Sequence, residues 1–374
     1  MKFLIIDTYN KNFLEDFYQR YPEAIDMSYA EHKKLLISQL FGTSDFYSKN
    51  LKKIGHEAED IIFNDPYLQI KWAKENNLKI NIDIKNKNYL FKLAFDKKER
   101  VLSLNILYKI LKHQIEYFKP DFLYFHTISY FNPLYLFLLK RKFKAKILGQ
   151  IATIPPPILY FKPYDLILSS LPNIVEFLNK NKIKAEYLKL AFESEVLNHL
   201  KELKEKHQIV FIGSFWQEQH SFFIPLLEKI AKKFDLKIWS PSKEEINSDL
   251  LQKCYIGKAW GKEMYNVLFN SLITINRHGK IAENYANNMR LYEATGVGTM
   301  LITDFKDNLN EIFKIGKEIE CYQNGDELLN KIDFYIKNEG KRKEIAQNGQ
   351  KRTLTEHTYE NRMKELITII NKYF

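Results

Sequence analysis

Short apolar runs, each closed by a polar or glycine-bearing turn, alternate with residues at helical spacing along this chain. They fall at residues 2–6 (KFLII), 121–126 (DFLYFH), 146–151 (KILGQI), 165–169 (DLILS), 208–213 (QIVFIG), 236–239 (LKIW), 272–276 (LITIN) and 299–303 (TMLIT). Runs this short, with no polar alternation, fit strands buried on both faces, which is the pattern of parallel sheets. Residues 59–64 and 318–322 read as two more strands. Helical spacing occupies 101–118, 173–180, 221–234, 262–270, 283–295 and the charged stretch from Asp326 onward, and 11–60 is helical in pieces with a break at 42–45. Pro120 closes the helix at 101–118, because proline disfavours a helical residue before it. Strands alternating with helices require βα units, so the fold class is α/β with mostly parallel sheets.

The rhythm pauses at 198–207 (NHLKELKEKH), a strongly polar stretch suited to a linker or connecting helix, and then restarts. A length of 374 residues suits two domains. The expected division is an N-terminal Rossmann-like domain at 1–197, a second at 198–355, and a terminal helix at 356–374 placed to pack back on the first domain. Open parallel sheets bind ligands beyond the C-terminal ends of their strands. Two such sheets predict a cleft between domains, lined by 7–10, 126–130, 213–220, 239–242, 276–280 and 283–298.

Charge narrows the partners. Lys and Arg number 57 against 46 Asp and Glu, a net charge of +11, yet only eight of the 57 are Arg. A scattered, solvated Lys surface accounts for this better than a groove for nucleic acid. Two cysteines, Cys254 and Cys321, are too few for a disulfide framework or a zinc site of their own and suit a reducing compartment. The apolar start MKFLIID is too short for a secretory signal, and no run reaches the roughly 18 apolar residues of a membrane span. Residues 133–139, flanked by Lys140, Arg141 and Lys142, read as a core helix rather than an anchor. The expected location is cytoplasmic, and the basic surface suits peripheral association with the inner face of an anionic membrane.

The stretch 287–303 (NNMRLYEATGVGTMLIT) carries the most chemistry. Asn287 and Asn288 resemble a capped helix N-terminus, where backbone N–H groups and the helix dipole attract phosphate. Arg290 in the first turn suits a bidentate phosphate contact, and Glu293 suits ribose hydroxyls. Their i,i+3 spacing equally suits a plain intrahelical ion pair. Gly213 and Ser214 end a strand where backbone can approach a ligand closely. Arg277, His278 and Lys280 follow another strand as a cationic turn, either solvated or facing a diphosphate. His126 ends a strand in the first half and suits either a structural role or a general base. No Gly-x-Gly-x-x-Gly, Gly-Lys-Ser/Thr, His-Glu-x-x-His or metal-binding Asp-x-Asp sequence is present, so no metal or resident cofactor is expected.

Taken in order, 211–214 (FIGS), 255–257 (YIG), 271–276 (SLITIN), 288–298 (NMRLYEATGVG), 316–319 (GKEI) and 357–362 (HTYENR) resemble the nucleotide-binding half of GT-B glycosyltransferases. The particular resemblance is to the spore-coat-type (CgeB-like) family, over 208–362. It implies two facing Rossmann-like domains and metal-independent transfer of a sugar from a nucleotide-sugar donor. It also implies that Glu293 holds the ribose, that the helix from Asn288 faces the diphosphate, and that Gly213 and Ser214 approach the phosphates. Trp239, Ser240 and Tyr255 to Gly257 would border the base, with Arg277 and Arg290 neutralising the leaving diphosphate. Many retaining GT-B enzymes carry a second Glu eight positions earlier; here that position is Tyr285, with Glu283 out of register. Retention or inversion is therefore open, and an inverting course would need a base such as His126. The acceptor, whether glycan, lipid-linked or protein, is expected on the first domain, with 65–100 and 42–47 as candidate shaping segments. A sugar-nucleotide epimerase, a phosphorylase or a non-catalytic binder on the same fold are the alternatives.

Overall fold

A computed structural model describes residues 1–80, 100–215 and 223–374, with side chains in the helix Arg100–Phe118 from Asn105 onward. Parts of three expectations, the acceptor segment over 81–99, the ligand loop over 216–220 and the helix start at 221–222, lie outside the described residues.

Chain contacts gather into two compact units. The first comprises Met1–Ser169 and Val175–Glu186, the second Ser170–Ile174 and Tyr187–Phe374. The second unit takes in the whole chain from Tyr187 onward, together with the short stretch 170–174. The terminal helix Tyr359–Tyr373 counts with the second unit. It is tied there by Phe192, whose N–H donates to His357 O at 2.8 Å and whose carbonyl accepts from Tyr359 N at 3.1 Å.

In the first unit the strands are β1 (Lys2–Asp7), β2 (Glu57–Ile62), β3 (Phe122–Phe125), β4 (Lys146–Gln150), β5 (Leu166–Ser169) and β6 (Ala185–Tyr187), whose last residue counts with the second unit. Their order is β2-β1-β3-β4-β5-β6. β1 pairs in parallel with both β2 and β3, matching Ile6 to Ile61 and to Phe125. The apolar runs have both faces covered, as expected: Phe3, Leu4, Ile5, Leu123, Tyr124, Ile147, Leu148 and Ile167 are all buried.

In the second unit β7 (His207–Ile212), β8 (Leu236–Trp239), β9 (Tyr255–Gly257), β10 (Ser271–Ile275), β11 (Met300–Asp304) and β12 (Glu320–Tyr322) lie in the order β12-β11-β10-β7-β8-β9. The chain winds outward from β7 through β9 and returns beside β7 as β10 before winding the other way. This is the doubly wound dinucleotide-fold order, with the reversal between β7 and β10. Ile209, Ile238, Ile273, Ile275 and Ile302 form its core with Leu227, Ile230, Leu328 and Ile332 from the helices.

Local differences from expectation have identifiable causes. Only a 3-10 turn, Ser194–His199, forms near the polar stretch. Beyond it the chain forms no helix up to β7, and Asn266 and Asn270 side chains accept from Lys201 N at 2.7 Å and Leu203 N at 2.8 Å. The helix expected from residue 283 starts only at Met289. The preceding loop is held by a neighbouring turn. Ala286 N donates to Asn308 Oδ1 at 2.6 Å, Asp307 N to Asn284 O at 2.9 Å and Lys306 Nζ to Glu283 O. β6, β9 and the helix Asp249–Cys254 lack a distinctive apolar run and were not anticipated. The helix Pro133–Lys142 is not a core helix: Leu136 and Leu139 are buried, whereas Leu134, Phe137 and Leu138 are exposed.

Candidate functional site

The reversal between β7 and β10 leaves a crevice beyond their C-terminal ends, where Gly213–Ser214 and Asn276–His278 emerge. The helix Met289–Gly296 is fastened to both strands at this point. On the β10 side, Asn288 Nδ2 donates to Asn276 Oδ1 at 2.9 Å, while Asn276 Nδ2 donates to Thr303 Oγ1 at 2.9 Å. Asn288 also caps the helix, its Oδ1 accepting from Leu291 N at 3.3 Å. On the β7 side, Arg290 Nη2 donates to Ile212 O at 3.2 Å. The N-terminus of a helix, with its unsatisfied N–H groups and positive dipole end, is thereby fixed at the switch point.

Arg290 and Glu293 form the intrahelical ion pair that their spacing allowed, Nη1 to Oε2 at 2.8 Å. Glu293 is buried, which raises its carboxyl above the usual carboxylate range, while the Arg290 charge opposes that shift. Arg290 Nε is buried and has no hydrogen-bond partner among the described residues. The cationic turn divides in two. Arg277 is half-buried with its guanidinium 5.5 Å from the centre of the Phe223 ring. His278 is buried rather than presented to solvent: its N–H and Nδ1 both meet Asp304 Oδ1, at 3.0 and 2.7 Å. Burial pushes Asp304 up, but the hydrogen bonds and charge of His278, with Lys306 nearby, hold it below its ordinary range. Nδ1–H on the carboxylate leaves His278 Nε2, also buried, with no partner among the described residues.

On the other side of β7, Gly213 N donates to Trp239 O at 3.1 Å and Ser240 N to Gly257 O at 3.0 Å, so 213–214, 239–240 and 255–257 form adjacent strand ends. Tyr255 OH donates to Ser240 O at 3.4 Å. The Trp239 indole is buried, with its centroid 5.2 Å from the ring of His207, the first residue of β7. Its ring is used within the sheet, so what it offers the strand-end ridge is backbone.

The motif glycines have packing roles. A Cβ on Gly296 would stand 2.4 Å from Phe192 Cγ, and Gly298 turns the chain out of the helix at φ +82°. In the tail, His357 Nε2 donates to Ile312 O at 2.9 Å and Arg362 is buried against Glu365.

The first unit has its own reversal, between β1 and β3, and His126 follows β3 there. Its Nδ1 lies 3.2 Å from Thr43 Oγ1 and 3.5 Å from Asp7 Oδ2, and Thr43 donates to that same Asp7 oxygen at 3.2 Å. Tyr47 and Tyr124 flank the imidazole at 4.5 and 5.1 Å between ring centres, and both hydroxyls donate to Gln150 Oε1. A proton on Nδ1, toward Asp7 and Thr43, leaves Nε2 as an acceptor, and Nε2 has no partner among the described residues. Asp7 and Thr43 were not singled out from sequence. Asp7 carried a signal, as the residue ending the first apolar run. Thr43 falls within 42–47, an expected acceptor-shaping segment, but nothing local tied it to His126, for it arrives on a loop where Leu40, Gly42 and Ser44 all have positive φ. Asp304, 26 residues from His278, was likewise missed.

Among the described residues no group of three or more His, Cys, Asp or Glu could hold a metal ion, and no helix is long and apolar enough to cross a membrane.

Residues 194–368 match the glycosyl transferase-like family. Comparison with curated proteins gives no match. Among solved structures the chain is similar to sucrose-phosphate synthase from Thermosynechococcus elongatus (TM-score 0.64, 11% identity, 99% of each chain covered). It is also similar to the Anabaena protein HepE in complex with UDP (0.60, 9%, all of both chains) and to a glycosyltransferase from Rickettsia africae (0.59, 12%, 100% of this chain and 98% of that one). The fold is GT-B. In GT-B terms the second unit's β7–β10 crevice lies within the matched region, and His126 lies outside it.

Proposed function

We propose that this protein is a glycosyltransferase that moves a sugar from a nucleoside-diphosphate sugar to an acceptor hydroxyl. The observation that carries the reading is the helix Met289–Gly296, fixed by Asn288 and Arg290 with its N-terminus at the switch point of the second sheet. There the helix dipole and the Arg290 and Arg277 guanidiniums neutralise the leaving diphosphate without a metal. Glu293 shares its carboxylate between Arg290 and the ribose hydroxyls, His278 Nε2 supplies a further polar contact, and the 239–240 and 255–257 strand ends border the base. The donor is a UDP-sugar, a reading supported by the UDP and UDP-glucose complexes of HepE. Spore-coat-type kinship rests on 288–298 and 357–362.

For the transfer, His126 Nε2 accepts the proton of the acceptor hydroxyl while Asp7 and Thr43 orient the ring. The acceptor oxygen bonds to the anomeric carbon, and the carbon–oxygen bond to the diphosphate breaks with its electron pair on the leaving nucleotide. Calorimetric titration with UDP, UDP-glucose and the GDP-, ADP-, CDP- and dTDP-sugars tests the donor site. Saturable binding of one of them, weakened at least about tenfold in Glu293→Gln as expected for a lost charged hydrogen bond, supports it. Absence of binding across the panel removes it.

A further inference from the structure

The first unit carries an apolar face that its own fold leaves uncovered. The helix Pro133–Lys142 packs through Leu136 and Leu139, both buried, and through Tyr135, whose ring stacks on Tyr108 at 3.9 Å. Its opposite side presents Leu134, Phe137 and Leu138, which are 66%, 41% and 56% exposed. Their i, i+3, i+4 spacing makes one stripe, and the next position along it is the exposed Arg141. The loop after β4 lies against this helix, because Lys140 Nζ donates to Pro163 O at 3.2 Å and pairs with Asp165 at 2.7 Å. That loop exposes Ile154 and Leu159 by 51% and 57%, together with Lys162, and Lys144 is exposed just beyond the helix. Large apolar side chains gathered with cations are not the surface of a chain adapted only to water.

We propose that this face docks on an anionic lipid bilayer. Leu134, Phe137 and Leu138 enter the boundary between headgroups and acyl chains, while Arg141, Lys144 and Lys162 meet lipid phosphates. Charge complementarity selects this occupant. A second copy would bring these cations against their own counterparts in a chain of net charge +11, whereas an anionic membrane offers apolar depth and negative charge in one surface. The inference concerns binding alone and stands apart from sugar transfer.

The test is co-sedimentation of the full chain with phosphatidylcholine vesicles, with and without phosphatidylglycerol. The expected result is binding to the phosphatidylglycerol vesicles, little to phosphatidylcholine alone, and weakening in high salt. Leu134→Ser/Phe137→Ser/Leu138→Ser and Arg141→Glu/Lys144→Glu/Lys162→Glu should each lose at least about tenfold in partitioning, since one cation near such a surface is worth about fivefold. All six side chains are exposed, so thermal melts should match the parent. Phe137→Trp adds a second readout, a blue-shifted emission component on anionic vesicles that the parent chain does not show. The proposal is overturned by absence of vesicle binding, by equal binding to neutral vesicles, by parental binding of either triple variant, by absence of that blue-shifted component from the Phe137→Trp variant, or by a dimer in solution that the apolar variant disrupts.

Discussion

A histidine at a strand end takes its chemistry from what meets its Nδ1. His126 meets Asp7 and Thr43, 119 and 83 residues away in the chain, so the arrangement exists only once β1 and β3 are paired. If Nε2 removes the acceptor proton, His126→Ala should lower kcat by about 10²- to 10⁴-fold while donor affinity stays at the parental value. Steady-state kinetics alongside donor titration separates the two, and an unchanged kcat removes His126 from the mechanism. Asp7→Asn should give a smaller loss of kcat with an altered pH profile, because the orienting charge goes and the imidazole stays. His357 is a contrasting case. Burial lowers its pKa to about 4, against the pull of its hydrogen bond to Ile312 O. Since the folded value lies below the unfolded one, the unfolded chain binds a proton between about pH 6.5 and 4 that the native state refuses. Stability is therefore lost as pH falls through that window, by about 2 kcal/mol at pH 5. Urea midpoints of the parent and His357→Gln, whose amide can also donate to Ile312 O, should converge or cross on acidification. A pH-independent gap would mean that the native imidazole is not held neutral.

At the scale of elements, apolar runs announced most of the strands because a strand buried on both faces leaves a continuous signature. Asn288 announced the start of its helix because capping is local, and the glycines after it announced the end. What the sequence did not display was set by distant neighbours. The turn at 306–308 keeps 283–288 out of the helix, Asp304 takes up His278, and His207 meets the Trp239 ring. The helix Pro133–Lys142 misled in the other direction, since an apolar string does not say which of its faces is covered. Gly296 shows how a local motif and a distant contact combine. Alanine is the better helix former by about 1 kcal/mol, yet its Cβ would meet Phe192 Cγ at 2.4 Å. The buried Phe192 ring also packs edge-on to Tyr265, 6.2 Å between centres, so it has little room to yield. Gly296→Ala should destabilise by about 1–3 kcal/mol through overpacking. The same substitution in a Phe192→Ala background should cost much less, and additive denaturation energies in that cycle would show that the ring is not the obstacle.

For the whole molecule, the doubly wound order of the second sheet does what local motifs cannot, which is to say where a ligand belongs. The reversal at β7 and β10 brings 213–214, 276–278 and 288–290 to one edge from three separate stretches of chain. The net charge of +11 adds no comparable localisation, because many lysines are paired along their own helices, as in Lys180–Glu176, Lys343–Glu339 and Lys364–Glu360. Each unit has its own sheet and contacts, so a ligand held by one should stabilise that one. At a hundredfold excess over Kd, binding adds about 2.7 kcal/mol to the state that binds. Hydrogen exchange with UDP at that excess should therefore slow most for amides of β7, β10 and the helix Met289–Gly296, by up to about a hundredfold where exchange requires unfolding of the unit. Amides of β1 and β3, beside His126, should keep their rates. Equal slowing in both sheets would show that the nucleotide is not held by the second unit alone, and protection confined to β1 and β3 would reverse the assignment of donor and acceptor sides.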